Sequence, residues 1–208
     1  MFKIYRQIPV FFSVFLIAIN ANANQCLSYK ITPKIVINTP DFTKNVILSA
    51  KPMDLLHGNV VATLVANYDI TAEIIPVYDG YCVVLKSVDA IIGYNDFLVQ
   101  IDGRHELNSC SYNAILNHEN RHIDAYLAVL DDNKKLLHES LYSAADSIMP
   151  IFVKDKTDTD DTVSVLNDEL QSHPDIILAI QKIHADEEIK NKYIDSVEDD
   201  SELKKCLQ

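Results

Sequence analysis

Glycine is scarce in this chain, with four in 208 residues, and none of the four sits in a glycine-rich phosphate-binding loop. Basic residues are few as well. Eighteen lysines and arginines stand against 30 aspartates and glutamates, for a formal net charge of −12. That acidity argues against a nucleic-acid backbone or an anionic membrane surface as a partner. The four cysteines contain no CxxC pair, which argues against a dithiol redox motif and a cysteine-rich zinc knuckle. There is no internal repeat and no local signature of Ser-His-Asp chemistry. Beyond the first two dozen residues no apolar run is long enough to span a bilayer. What remains is a globular composition, 48% hydrophobic and 23% charged, of a length that suits one domain.

The first segment reads as an address. Lys3 and Arg6 precede an apolar stretch from Ile8 to Ile19, and Ala21-Asn22-Ala23 is a small-x-small cleavage site. That is the anatomy of a secretory signal peptide over residues 1–23, leaving a single domain over 24–208. The expected location is periplasmic or secreted, with no membrane association after cleavage. In an oxidising compartment an even number of cysteines favours disulfides. Four cysteines allow three connectivities; the pairing Cys82–Cys110, with Cys26–Cys206 tying the ends, is the favoured one.

The chain then divides in two. Within the β-rich part, residues 30–103, six β-branched runs lie between turn signals: Lys34–Asn38, Asn45–Ser49, Asn59–Ala66, Ile70–Tyr78, Tyr81–Ile92 and Phe97–Ile101. Asp79-Gly80 marks a hairpin. Close spacing without intervening helices predicts a mainly antiparallel sheet. The α-rich part, residues 109–206, begins with Leu116, Ile123, Leu127, Leu130, Leu137, Leu141 and Ile148 on one face of a helix. One long helix over about 112–147 is the simpler reading, a hairpin broken at Asp131-Asp132-Asn133 the alternative. The acidic stretch 154–169 is expected to be a loop, and a last helix covers Asp175 to Tyr193. Strands followed by helices make the fold α+β.

The chemistry-bearing residues sit in that long helix. His118-Glu119-Asn120-Arg121-His122 is HExxH. Residues i and i+4 lie about 40° apart around a helix and ~6 Å apart along it, so both imidazoles face the same way. Two imidazoles on one face can hold Zn2+, and a neighbouring carboxylate can take a proton from a water at the ion.

HExxH on a helix after a sheet resembles the zincin metallopeptidases. The run from Cys110 to His122 resembles, more narrowly, the bacterial predicted secreted zinc-dependent proteases, over roughly residues 60–206. The resemblance implies His118 and His122 as zinc ligands, Glu119 as general base and a peptide bond as substrate. The metzincin extension is absent, since Ala125 and Ala128 occupy its Gly and His positions. Glu139 is the nearest downstream glutamate and the named candidate for third ligand. On an unbroken helix it would lie about 26 Å from His122, so it serves only if the chain folds back near Asp131–Asn133. His105, His138, His173, His184, Asp124 and the C-terminal acids are the other candidates. The expected function is an exported zinc metallopeptidase acting on a peptide or protein. The alternative is a non-catalytic exported protein-binding module.

Overall fold

A computed structural model describes residues 25–53, 57–197 and 205–206; the expected leader, residues 1–23, lies outside them. One strand organises everything else. β4 (Gly80–Asp102) pairs along one whole edge with β3 (Gly58–Val77), antiparallel. Its other edge is covered in relay. β5 (Ile151–Val153) pairs antiparallel with Tyr81–Val83, β1 (Lys34–Asn38) parallel with Ser87–Ile91, and β2 (Thr43–Ser49) parallel with Asp96–Asp102. The sheet is therefore mixed, which corrects the mainly antiparallel expectation. The cause is topological. β2 ends and β3 begins at the same end of β4, as Ser49↔Asp102 and Gly58↔Ile101 show. The connection reverses the chain once and the β3–β4 hairpin reverses it again, so β2 and β4 run the same way.

Six expected strand runs resolve into four strands, β1 to β4, and the fifth, β5, lies in the α-rich part, where none was expected. Asn59–Ala66 joins Ile70–Tyr78 within β3, and Tyr81–Ile92 joins Phe97–Ile101 within β4. The buried face of β4 explains the joins. It steps by two through Val83 and Leu85, then Val88, Ala90, Ile92 and Tyr94, then Phe97, Val99 and Ile101. The two slips of phase fall where the β3–β4 register shifts, opposite Thr71/Ala72 and Ala62/Leu64. A bulge adds a residue and restores the apolar set to the core side, where an uncorrected slip would turn it to solvent. The hairpin turns at Tyr78-Asp79, and Gly80 follows because a Cβ there would lie 2.3 Å from the carbonyl oxygen of Val153.

Four helices follow: α1 (Cys110–Asp132), α2 (Lys134–Ser147), α3 (Thr159–Gln171) and α4 (Pro174–Val197). Together with the sheet they make the fold mixed α+β. Ser109 caps α1 by accepting the Tyr112 N–H at 3.1 Å, the role expected of a serine at that position. The expected single helix over 112–147 is interrupted at Asn133 (φ −99°, ψ 3°). The Asn133 side chain donates to the Val129 carbonyl at 2.9 Å and to Asp186 of α4 at 3.1 Å. The helical path resumes at once, with the Leu137 N–H bonded to the Asn133 carbonyl at 3.0 Å. Leu130, Leu137 and Leu141 are all buried in one core, which is why the periodicity ran through the break unaltered.

The loop expected over 154–169 is a short 3-10 turn, Lys156–Asp158, followed by α3. Thr159, Thr162, Leu166 and Leu170 form its buried stripe, and Asp160 and Asp161 in its first turn suit the positive end of the helix dipole. Acidic composition had hidden an amphipathic helix. Helix α4 outlasts its expected bounds at both ends and opens on Pro174, a residue well suited to a first helical position.

Two disulfides are present, with a pairing other than the expected one: Cys26–Cys82 and Cys110–Cys206. Cys82 lies at the start of β4 and Cys110 beyond its far end, as the first residue of α1, with about 65 Å of extended strand between the two ends, so they do not meet. Cys26 instead joins Cys82 in a small cluster with Val84, Ile75, Val77 and Phe152 at the hairpin end. Cys110, bonded to Cys206, is not a free nucleophile. Two disulfides are consistent with a non-cytoplasmic, oxidising setting. Among the described residues no helix is long and apolar enough to cross a membrane.

Candidate metal centre

Helices α1 and α4 run antiparallel, as their contacts show in order: Asn133 with Asp186, Lys190 with Asp132, His122 with Asn191, and His118 with Asp195. The buried stripe of α4 begins apolar, with Ile176, Ala179 and Ile183, in the part of the helix that starts beside α2, where Ser143 donates to Asp175. It continues at helical spacing as Glu187, Asn191 and Asp195. The polar end of this stripe meets the HExxH segment of α1.

There the two histidines converge. Their Nε2 atoms lie 3.0 Å apart, and Asp195 Oδ1 stands 3.4 Å from His118 Nε2 and 3.1 Å from His122 Nε2. Among the described residues, this trio is the group of three or more metal-capable side chains whose ligand atoms fall together, all within 4.8 Å. Asp195 thus stands in the third position. Glu139 does not approach the cluster; it lies on α2 and pairs with Lys135 at 3.6 Å. His105 bonds to Ser111, His173 to Ser147, and His184 to Glu187.

The hydrogen bonds around the pair decide which ring nitrogens are available. Asn191 Oδ1 accepts from His122 Nδ1 at 2.8 Å, so the Nε2 lone pair of His122 points at the centre. A side-chain acceptor on the far nitrogen is the usual way to fix a ligand imidazole. His118 is held differently. Arg121 Nη2 lies 3.1 Å from its Nδ1, and a guanidinium can only donate. His118 therefore carries its proton on Nε2 and donates it toward His122. A cation at the centre requires that proton to shift to Nδ1 and Arg121 to give up this contact. Burial, the neighbouring His122 and Arg121 push the His118 pKa down, against the opposing pull of Asp195. These surroundings favour the neutral ring, the form a ligand must take.

Glu119 is buried, 4% exposed. It packs against the first residue of β3, where a Cβ on Gly58 would lie 2.4 Å from Glu119 Oε1. Glycine at 58 is what lets the carboxylate lie there. Burial, reinforced by the charge of Asp195 and opposed by Arg121, pushes Glu119 up to about 7. Tyr112 is a buried core residue. Tyr126 is hydrogen-bonded to Asn191, and burial raises its pKa. Lys44 of β2 reaches Asn120 at 2.9 Å, tying the sheet to the HExxH turn.

The residues present fit a divalent cation of the zinc type. They offer two imidazoles and one carboxylate, three protein ligands that leave a fourth position open. Sequence reasoning had left the C-terminal acids as an undivided group. The signal that singles out Asp195 is the α4 stripe, whose inward positions change from isoleucine and alanine to Glu187, Asn191 and Asp195. No protein-family model matches the chain, nor does any curated protein or solved structure.

Proposed function

We propose that the protein is an exported zinc-dependent hydrolase acting on peptide bonds, in the periplasm or outside the cell. One observation carries the reading: His118, His122 and Asp195 converge from facing helices with Glu119 beside them. His118, His122 and Asp195 would hold Zn2+, which when bound supplies a Lewis acid for a carbonyl and acidifies a water. Glu119 takes the proton from the attacking water as its oxygen bonds to the scissile carbonyl carbon. It returns that proton to the amine nitrogen as the carbon–nitrogen bond breaks. Asn191 keeps the His122 ring turned correctly, and the buried wall around Glu119 limits its access to bulk water.

The test is Glu119→Gln. Zinc uptake should be retained, while release of labelled fragments from an unfolded protein substrate falls by about 10²–10⁴, the usual contribution of a general base. Undiminished turnover in that variant would sink the mechanism. A second reading, the exported binding module, is favoured by a specific observation. The chain Arg121–His118–His122–Asn191 is a complete hydrogen-bond series without any ion. No zinc uptake by the wild-type protein at neutral pH would decide for it.

A further inference from the structure

Between the α4 stripe and Tyr126 of α1 lies a cleft of about 440 Å3, within the size range of small-ligand sites. Asp195 closes one end and faces the two histidines, and His184 lines the other. The cleft therefore leads directly away from the candidate metal centre along α4. Its charge is one-sided. Glu187, Glu188 and Asp195 line it against Lys192 alone, and Lys192 already lies 3.9 Å from Glu188 at the surface.

Glu187 is the deepest of the acids, 7% exposed. One of its oxygens accepts the Tyr94 hydroxyl and the other faces His184 Nδ1 at 3.0 Å. A phenol and an imidazole thus meet this carboxylate, where a lysine or arginine would neutralise it. Each oxygen has a second lone pair to offer. His184 pairs with the Glu187 charge only when protonated, and a buried carboxylate gains from a permanent cation beside it. An ammonium or guanidinium entering from the metal end would supply one, and its aliphatic stem would lie along the ring of Tyr126.

We propose that this cleft is the subsite for a substrate side chain next to the scissile bond, and that it takes lysine or arginine. The inference rests on the hydrolase reading and names its substrate class: basic peptides. A neutral side chain forgoes the charge pairing, and an acidic one is repelled by Glu187 and Glu188.

The test uses zinc-loaded Glu119→Gln protein, which should hold peptide without cleaving it. Three blocked pentapeptides serve as probes, identical except for lysine, norleucine or glutamate at the centre. Binding is read by calorimetry, with zinc content measured on the same samples. The lysine peptide should bind about tenfold tighter than the norleucine peptide, the worth of one charge-assisted hydrogen bond, and the glutamate peptide weakest. Adding Glu188→Gln, a surface change that spares folding, should cut that preference severalfold, and adding Glu187→Gln should abolish it. Equal binding of lysine and norleucine peptides, or no binding of either, overturns the subsite. So does a preference that survives both substitutions. Zinc uptake without lysine preference removes the subsite and leaves the hydrolase reading standing. Lysine preference in protein that takes up no zinc keeps the cation cleft and removes the hydrolase.

Discussion

Two pairs of histidines lie ring against ring in this molecule, and only one of them forms the core of a candidate metal centre. His57 and His105 stack edge to face with centroids 5.2 Å apart, and His118 and His122 do the same at 4.8 Å. In each pair two ring nitrogens approach closely, at 3.2 Å in the first and 3.0 Å in the second. The difference is in the surroundings. His105 is buried and gives its other nitrogen to Ser111 at 3.0 Å. The nearby carboxylate, Asp102, is occupied by the Arg104 guanidinium and the Met53 N–H. That pair is part of the packing before α1. The second pair faces another helix, which brings a carboxylate to it and an amide behind it. A histidine pair becomes a candidate metal site when a third ligand converges and a cleft remains open beside it.

Exchanging the two pairs in experiment gives the largest contrast. His118→Ala with His122→Ala should lower zinc affinity by more than about 100-fold, beyond the loss typical of a supporting hydrogen bond. His57→Ala with His105→Ala should leave zinc binding within about twofold, as measured by metal content and calorimetry. The reverse result would place the metal at the first pair. The supporting groups sharpen the contrast. Asn191→Leu should weaken zinc binding by about 10–100-fold, because His122 loses the acceptor that orients it. Ser111→Ala, which removes the corresponding partner of His105, should leave zinc binding unchanged. Equal effects of the two would deny Asn191 its positioning role.

The disulfides separate in the same way. Cys110–Cys206 joins the start of α1 to the segment beyond Asp195, so Cys206→Ser should reduce zinc affinity severalfold. Cys26→Ser, at the hairpin end, should cost about 2–5 kcal/mol of stability by thermal unfolding with no change in zinc affinity. The smallest effect is electrostatic. The Arg104 guanidinium, then the N–H groups of Arg104 and Met53, hold the Asp102 carboxyl well below its ordinary 3.8. A carboxyl depressed by folding stabilises the protein above its unfolded value, and the stabilisation is lost as pH falls through the folded one. Asp102→Asn should therefore melt below wild type at pH 7, and the gap should narrow below about pH 3.8. A gap of constant size at both ends would remove this account.

Legibility in the sequence followed the range of the interaction. β1 was readable to the residue, because Lys34–Asn38 is a short β-branched run between turn signals. The long strands read as pairs of fragments, since Asn67–Asp69 and Gly93–Asp96 look like interruptions; the first in fact pairs in unbroken register with Asp89–Ile91, and the second holds a register shift between Tyr94 and Phe97. Helix α3 was masked by its aspartates, although Leu166 and Leu170 already marked its buried side. The break at Asn133 left no trace in the apolar phase, because it depends on a hydrogen bond to Asp186 of another helix.

The sequence by itself determined the pairing of His118 with His122, because helical geometry fixes residues four apart wherever the helix sits. It determined the α+β order and the presence of Glu119 at the same turn for the same reason: these are local properties of a periodic chain. Tertiary structure alone decided that Asp195 rather than Glu139 faces the histidines, and that Asn191, 69 residues beyond His122, orients its ring. It alone decided the parallel placement of β1 and β2 and the partner of each cysteine. Those outcomes depend on which distant surfaces bury one another, and no spacing along the chain encodes the distance between two helices that meet only after folding.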